Sequence, residues 1–300
     1  MRRAPAVIAP VMMVVSCLLL AEGLAHVYLT DVLSFSDLSV PAPPPLWYRG
    51  APNARVIFKG FMIPIPPTEI QLNSKGFRSR EEDPADHRPN IYVFGDSNTV
   101  GVGVKCEETY CALLEEALPG FVVRNYAVEQ YNFMQEYTLF KESHGPEALS
   151  LFVLPGYYLT RIRPTWKPMR GPVARHSRLY ALYFLATRFI RYGETDEMVF
   201  RDANFLAALH DLISNYKNVW FVLLPKRAEF DTKRLMDTIN GRAVVLNCSD
   251  IYADRANRIV HDEELLNPKG HRLVADRIAA AVAKSREAIG ATTDAGSARR

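Results

Sequence analysis

From residue 90 onward the chain alternates short apolar runs with amphipathic stretches, and few folds accept that alternation. Asn90-Ile91-Tyr92-Val93-Phe94 is an apolar run closed by Gly95-Asp96, as expected of a strand buried on both faces of a parallel sheet. Thr109 to Leu118 reads as a helix with Leu113, Leu114 and Leu118 on one face and Pro119-Gly120 as its stop. Phe121 to Asn125 follows as a strand, Phe133 to Ser143 as a helix and Leu149 to Leu154 as a strand. Helices are expected at about 178 to 192, 198 to 214 and 231 to 240, and strands at Val219 to Leu224 and Ala243 to Leu246. A last helix begins at Pro268, where the missing N–H costs little, and runs to about Ala288 with Leu273, Val274, Ile278 and Val282 at helical spacing. The pattern predicts an α/β chain with a three-layer α/β/α parallel sheet, flavodoxin-like in architecture. Sites in such sheets lie at the carboxyl ends of strands. Ser97, just after the first strand of the alternation, is in that place.

The N-terminus bears on the compartment. Arg2 and Arg3 precede an uncharged stretch from Ala4 to Ala21, and after Glu22 the apolar character resumes through Leu24, Ala25, Val27, Tyr28 and Leu29. About 20 apolar residues cross a bilayer, so residues 1–29 read as one transmembrane anchor. The arginine pair predicts the N-terminus in the cytoplasm and the main domain periplasmic or extracellular, on a bacterial cytoplasmic membrane. Two readings compete with the anchor: a lipoprotein box ending at Cys17, and a cleaved signal peptide. Residues 30–88 follow as an extended neck. Pro41, Pro43, Pro44, Pro45, Pro64, Pro66 and Pro67 oppose helix there, and a short strand is expected from Arg55 to Met62. The domain itself is assigned to 89–286, and the Gly-, Ala- and Thr-rich tail at 287–300 reads as disordered.

Composition sets limits on partners. A chain of 300 residues that is 48% hydrophobic and 23% charged suits one globular domain with appendages. The net charge of +3 is too near balance to imply a nucleic-acid partner. Cys17, Cys106, Cys111 and Cys248 show no metal-ligand spacing, so neither metal nor cofactor is expected. Cys106 and Cys111 pair in an oxidising compartment or remain free thiols.

Residues 94–101 read Phe-Gly-Asp-Ser-Asn-Thr-Val-Gly. Upstream lies Leu72-Asn73-Ser74-Lys75-Gly76-Phe77-Arg78, and near the C-terminus Asp262-Glu263-Glu264-Leu265-Leu266-Asn267-Pro268-Lys269-Gly270-His271. Together these segments resemble the membrane-anchored bacterial branch of the SGNH (GDSL) hydrolase superfamily. The resemblance implies acyl-ester hydrolysis or transfer by a serine, a histidine paired with an aspartate, and an oxyanion hole of the serine N–H, a glycine N–H and an asparagine side chain. Ser97 matches the nucleophile and Asp262 the orienting aspartate. Three positions depart from the pattern: Leu265 stands where the catalytic histidine is expected, Gln130 where the glycine is, and Gly156 where the asparagine is. His261 and His271 are the candidate substitute bases, His271 at a point of the last helix suited to its surface. Removing the base from a serine hydrolase costs roughly six orders of magnitude, about 8 kcal/mol. A lost oxyanion donor costs about 3 to 4 kcal/mol.

Ser97 and Asp96 also have a purely local role open to them, capping the helix that follows. A further surface lies between Thr160 and Tyr192, where Arg161, Arg163, Lys167, Arg170 and Arg175 occur with no acidic residue and with aromatic residues between them. Such a surface suits the membrane bilayer or other membrane proteins as partners, and a solvated basic helix is its plain alternative. Two functions are therefore expected as alternatives. One is a non-catalytic binding or structural accessory subunit of a membrane-associated assembly. The other is an active serine esterase or O-acyltransferase on cell-envelope glycans or lipids, using Ser97 with an unconventional base.

Overall fold

The computed structural model describes residues 5–28, 37–58, 65–143, 148–154, 177–180, 183, 203–224, 232–239, 241–260 and 265–297. The expected sheet is present. Strands β5 (Asn90–Phe94), β6 (Val122–Asn125), β7 (Leu149–Leu154), β8 (Val219–Leu223) and β9 (Val244–Asn247) pair in parallel in the order β6-β5-β7-β8-β9. The order reverses between β5 and β7, which makes their carboxyl ends the topological switch point where open α/β sheets place their sites.

Side-chain alternation divides the core into two layers. Phe94, Phe152, Leu154, Phe221 and Leu223 point to one face, and Ile91, Val93, Leu151, Val153 and Val222 to the other. Register sets Phe94 beside Phe152 and Phe152 beside Phe221, with ring centroids 5.1 and 6.0 Å apart. Aromatic neighbours of this kind contribute about 0.5–1.5 kcal/mol each beyond their burial. That face is covered from α4 (Phe133–Ser143), α5 (Ala203–Asn215) and α6 (Thr232–Ile239); the opposite face is covered from α3 (Tyr110–Ala117), α7 (Ser249–Ala253) and the last helix α8 (Pro268–Ser297). The remaining short helix, α2 (Ser97–Val100), directly follows β5.

Most expected boundaries hold to within one or two residues. The helix expected from 198 begins at Ala203 among the described residues, and most of the one expected at 178 to 192 lies outside them. The last helix continues to Ser297, through residues assigned in sequence to a disordered tail. Once a helix is nucleated each further residue adds a hydrogen bond at little entropic cost, and Ala288, Ala291 and Ala295 favour continuation.

The segment read as a neck is built into the domain. Strands β1 (Ser39–Pro41) and β2 (Tyr48–Gly50) form one antiparallel pair, and β3 (Arg55–Phe58) and β4 (Thr68–Gln71) another. Leu46, Tyr48 and Phe77 belong to the same buried cluster as Phe94 and Phe152, and Ile70 and Leu72 pack with Val100, Ala127 and Leu265. The Leu72–Arg78 motif accounts for much of this docking. Phe77 stacks on Tyr126 at 4.1 Å. The buried Arg78 guanidinium donates to the carbonyls of Val100 (3.0 Å), the last residue of α2, of Gly101 (2.6 Å) and Val104 (3.0 Å) beyond it, and of Glu69 (3.0 Å) in β4. Gly76 takes φ +83° and faces Gly50 so closely that a Cβ on Gly50 would lie 1.8 Å from the Gly76 carbonyl oxygen, so both positions require glycine. Proline density signalled extended backbone correctly; it carries no information on whether that backbone is free or packed.

Helix α1 (Pro5–Tyr28) includes a 19-residue window, Ala9–Val27, of mean hydropathy 1.8, long and apolar enough to cross a membrane. Val11 to Val15 and Leu18 to Leu20 are largely exposed along it, as a lipid-facing helix requires. All four cysteines are free thiols.

Candidate functional site

Ser97 is the first residue of α2, at the carboxyl end of β5. Asp96 caps this helix: its Oδ1 accepts the Asn98 N–H at 3.1 Å, and its Oδ2 accepts the Ser97 hydroxyl at 3.4 Å. The local capping role open to Asp96 is therefore filled. The turn is held on several sides. Asn125 Nδ2 donates to the Thr99 carbonyl at 2.7 Å, Tyr110 Oη donates to Thr99 Oγ1 at 2.5 Å, and Asn98 Oδ1 accepts the Leu266 N–H at 2.9 Å. The last bond ties the serine turn to the C-terminal segment across 168 residues. Gly95 is needed for the tight exit from β5, since a Cβ there would fall 2.0 Å from Thr99 Oγ1.

Leu265, at the position of the expected histidine, is buried with Leu38, Ile70, Leu72, Val100, Val102, Ala127 and Ile259. Its environment is that of a core leucine among aliphatic side chains. Ser97 is itself only 5% exposed, and its hydroxyl has Asp96 as its hydrogen-bond partner among the described residues. Asp262, His261, Gly156 and the basic residues Arg161, Arg163, Lys167, Arg170 and Arg175 lie outside the described residues.

His271 is not on the helix surface, and this corrects the expectation from sequence. Its side chain is fully buried, with the ring stacked on Tyr110 at 5.4 Å. Its Nδ1 accepts the Tyr110 N–H at 3.1 Å, so it satisfies one of the orphan donors at the start of α3. That bond fixes the proton on Nε2, which is buried without a hydrogen-bond partner among the described residues. Burial, and then the nearby Arg78 guanidinium, push its pKa down to about 3. The lone pair that a base would use is committed to backbone. His271 shares a helical face with Val274, Ala275, Ile278 and Val282, all buried, so the spacing of the last helix itself puts it inside.

Gln130 adopts φ +64°, a left-handed conformation that glycine takes freely and other residues rarely do. It is half-buried, and its Nε2 donates to Glu129 Oε1 at 3.3 Å. The backbone geometry of a glycine position is thus retained with a larger side chain on it. The neighbouring loop is gripped by the segment once read as a neck. Tyr48 Oη donates to the Glu129 carbonyl at 2.9 Å, Tyr131 Oη to the Tyr48 carbonyl at 2.5 Å, and Gln135 Nε2 to the Leu46 carbonyl at 2.6 Å.

One titratable group near the turn escaped the sequence reading. Glu136, on α4, is fully buried; burial, and then the nearby Asp96 carboxylate, push its carboxyl well above the ordinary range. Its Oε2 has no hydrogen-bond partner among the described residues. Its place on the buried face of α4, three residues after Phe133, was the available signal. A cavity of about 910 Å³ lies on another part of the domain, between Glu69, Arg78, Lys105 and Glu107. Ser97 is not among its lining residues.

No family model matches the chain, and no curated protein sequence does. Solved structures do resemble it. A member of the lipolytic protein G-D-S-L family from Veillonella parvula is 17% identical, with 63% of this chain and 94% of that one covered and a TM-score of 0.41. The psychrotrophic esterase EstA from Pseudoalteromonas sp. is 16% identical over 66% of this chain and 98% of that one, with a TM-score of 0.39. The aryl esterase of M. smegmatis is 12% identical over 65% of this chain and 99% of that one, with a TM-score of 0.38. These are G-D-S-L lipolytic proteins and esterases.

Proposed function

We propose that this chain is a membrane-anchored, extracytoplasmic SGNH-hydrolase-like domain without esterase activity, kept as a binding or structural accessory subunit of a membrane-associated assembly. The observation that carries this reading is Leu265 packed in an apolar cluster at the position of the base, while Ser97 keeps only a capping carboxylate as hydroxyl partner among the described residues. A serine hydroxyl becomes a nucleophile when a base accepts its proton in the transition state. Asp96 is a weak base already engaged as a helix cap, and His271 has its lone pair bound to backbone. The geometry of the turn is explained by its structural contacts through Asn98, Thr99 and Gly95.

The alternative, an active serine esterase or O-acyltransferase on cell-envelope glycans or lipids, has in its favour Ser97 at the switch point of the sheet. It needs a base from His261. The test is p-nitrophenyl acetate hydrolysis by the full-length protein in mild detergent, comparing wild type with Ser97→Ala at matched folding. Equal turnover in the two proteins, with a membrane protein co-purifying in fixed stoichiometry, is expected. Turnover that disappears in Ser97→Ala overturns the non-catalytic reading and establishes the alternative.

A further inference from the structure

Glu22 is the acidic residue of an otherwise apolar helix, and its carboxylate is engaged by a segment 155 residues away. It accepts from Ser177 Oγ at 2.8 Å, from the Arg178 N–H at 2.5 Å and from the Leu179 N–H at 3.3 Å, and it pairs with His26 Nε2 at 3.1 Å. Residues 178–180 and 183 are helical, and Ser177 Oγ accepts the Tyr180 N–H at 3.0 Å. Glu22 and Ser177 together therefore cap the start of this helical stretch, meeting donors that its first turn cannot satisfy internally. A carboxylate at that end also complements the helix dipole.

The height of this clamp follows from the anchor. Seventeen residues from Pro5 to Ala21 precede Glu22 in α1, a rise of about 25 Å against a hydrocarbon core of about 30 Å. Glu22 thus falls near the boundary of the leaflet in which α1 ends, which is where an acidic side chain in a spanning helix is least costly. Tyr180 and Tyr183 are three residues apart in helical backbone and share a face. They are 43% and 66% exposed. Tyrosine is the residue type that concentrates at the bilayer interface, its ring against the acyl boundary and its hydroxyl in the headgroups.

We infer that residues 177–180 and 183 lie on the membrane at the level of Glu22, with Tyr180 and Tyr183 seated among the headgroups of phospholipids, so that the Glu22 clamp sets the tilt of the domain over the bilayer. This rests on α1 spanning the membrane. The occupant of the tyrosine face is phospholipid because the residues just before it, Ser177, Arg178 and Leu179, are hydrogen-bonded to Glu22 of the apolar helix α1.

The test is photo-crosslinking of the full chain in nanodiscs of phosphatidylcholine with phosphatidylglycerol, with p-benzoylphenylalanine replacing Leu19, Tyr180 or Tyr183 in separate preparations and adducts identified by mass. Phospholipid adducts at all three positions are expected. Lipid adducts at position 19 without them at 180 and 183, or with protein adducts there instead, overturn the inference and leave the anchor standing. No lipid adduct at position 19 removes the anchor itself, and the inference with it. Adding Glu22→Ala is expected to lower the lipid adduct at 183 several-fold while leaving that at 19 unchanged; an undiminished yield at 183 overturns the clamp.

Discussion

At the scale of single residues, two buried ionisable groups give the fold opposite pH dependences. His271 is neutral in the fold with a pKa lowered to about 3 from 6.5. The unfolded chain therefore binds the extra proton between those values, and stability falls as pH drops from 6.5 toward 3. The full effect is on the order of 5 kcal/mol. His271→Asn keeps an acceptor for the Tyr110 N–H without a titrating ring, so its melting temperature should lack the decline below pH 6.5 that the wild type shows. Glu136 works the other way. Burial, and then Asp96, raise its pKa well above the ordinary value, so as pH climbs above about 4.5 the unfolded chain gives up its proton before the fold does, and stability declines as pH rises. Glu136→Gln should melt higher than wild type at pH 8 and equally below about pH 4, by differential scanning fluorimetry across a pH series. A higher wild-type melting temperature at pH 8 would mean that Glu136 is ionised and paired.

At the scale of elements, the pieces before residue 89 are part of the core rather than a stalk. Leu46, Tyr48, Ile70, Leu72 and Phe77 are each less than 9% exposed. Burying side chains of this size contributes about 1.5–3 kcal/mol apiece, so their joint removal is comparable to the whole stability of about 5–15 kcal/mol typical of a domain. Arg78 adds four hydrogen bonds to carbonyls, three of them at the end of α2 and just after it. A truncated chain starting at residue 89 should fail to melt cooperatively, whereas one starting at Asp37 should unfold in a single sharp transition. Equal melting of the two would show that β1 to β4 are dispensable. The same contrast explains why the boundary at 89 looked natural in sequence. The strand-helix alternation starts at Asn90, and short irregular strands rich in proline leave no periodicity from which packing can be read.

For the molecule as a whole, on the proposed reading, α1 tethers the parallel α/β domain to the membrane, and Arg2 and Arg3 set the side on which it lies. Alkaline phosphatase fused after Ser297 should be active in cells, as it is on the outer side, and replacing Arg2 and Arg3 by glutamate should reduce that activity. An inactive fusion of the unaltered chain would reverse the assigned orientation. What could be read along the chain was whatever local periodicity encodes. Phe133–Ser143 and Leu149–Leu154 were legible to the residue, as was the placement of Ser97 after β5, because alternation at two and at 3.6 residues reports burial on a sheet face or a helix stripe. Contacts between residues distant in sequence carry no such trace. That His271 caps α3 depends on a bond spanning 161 residues, and the grip of the N-terminal segment on the 129–135 loop depends on bonds spanning 81 to 89. Whether a given histidine is a surface group or a buried acceptor, and whether a proline-rich stretch is a spacer or a wall of the core, is settled by what packs against it after the chain has closed.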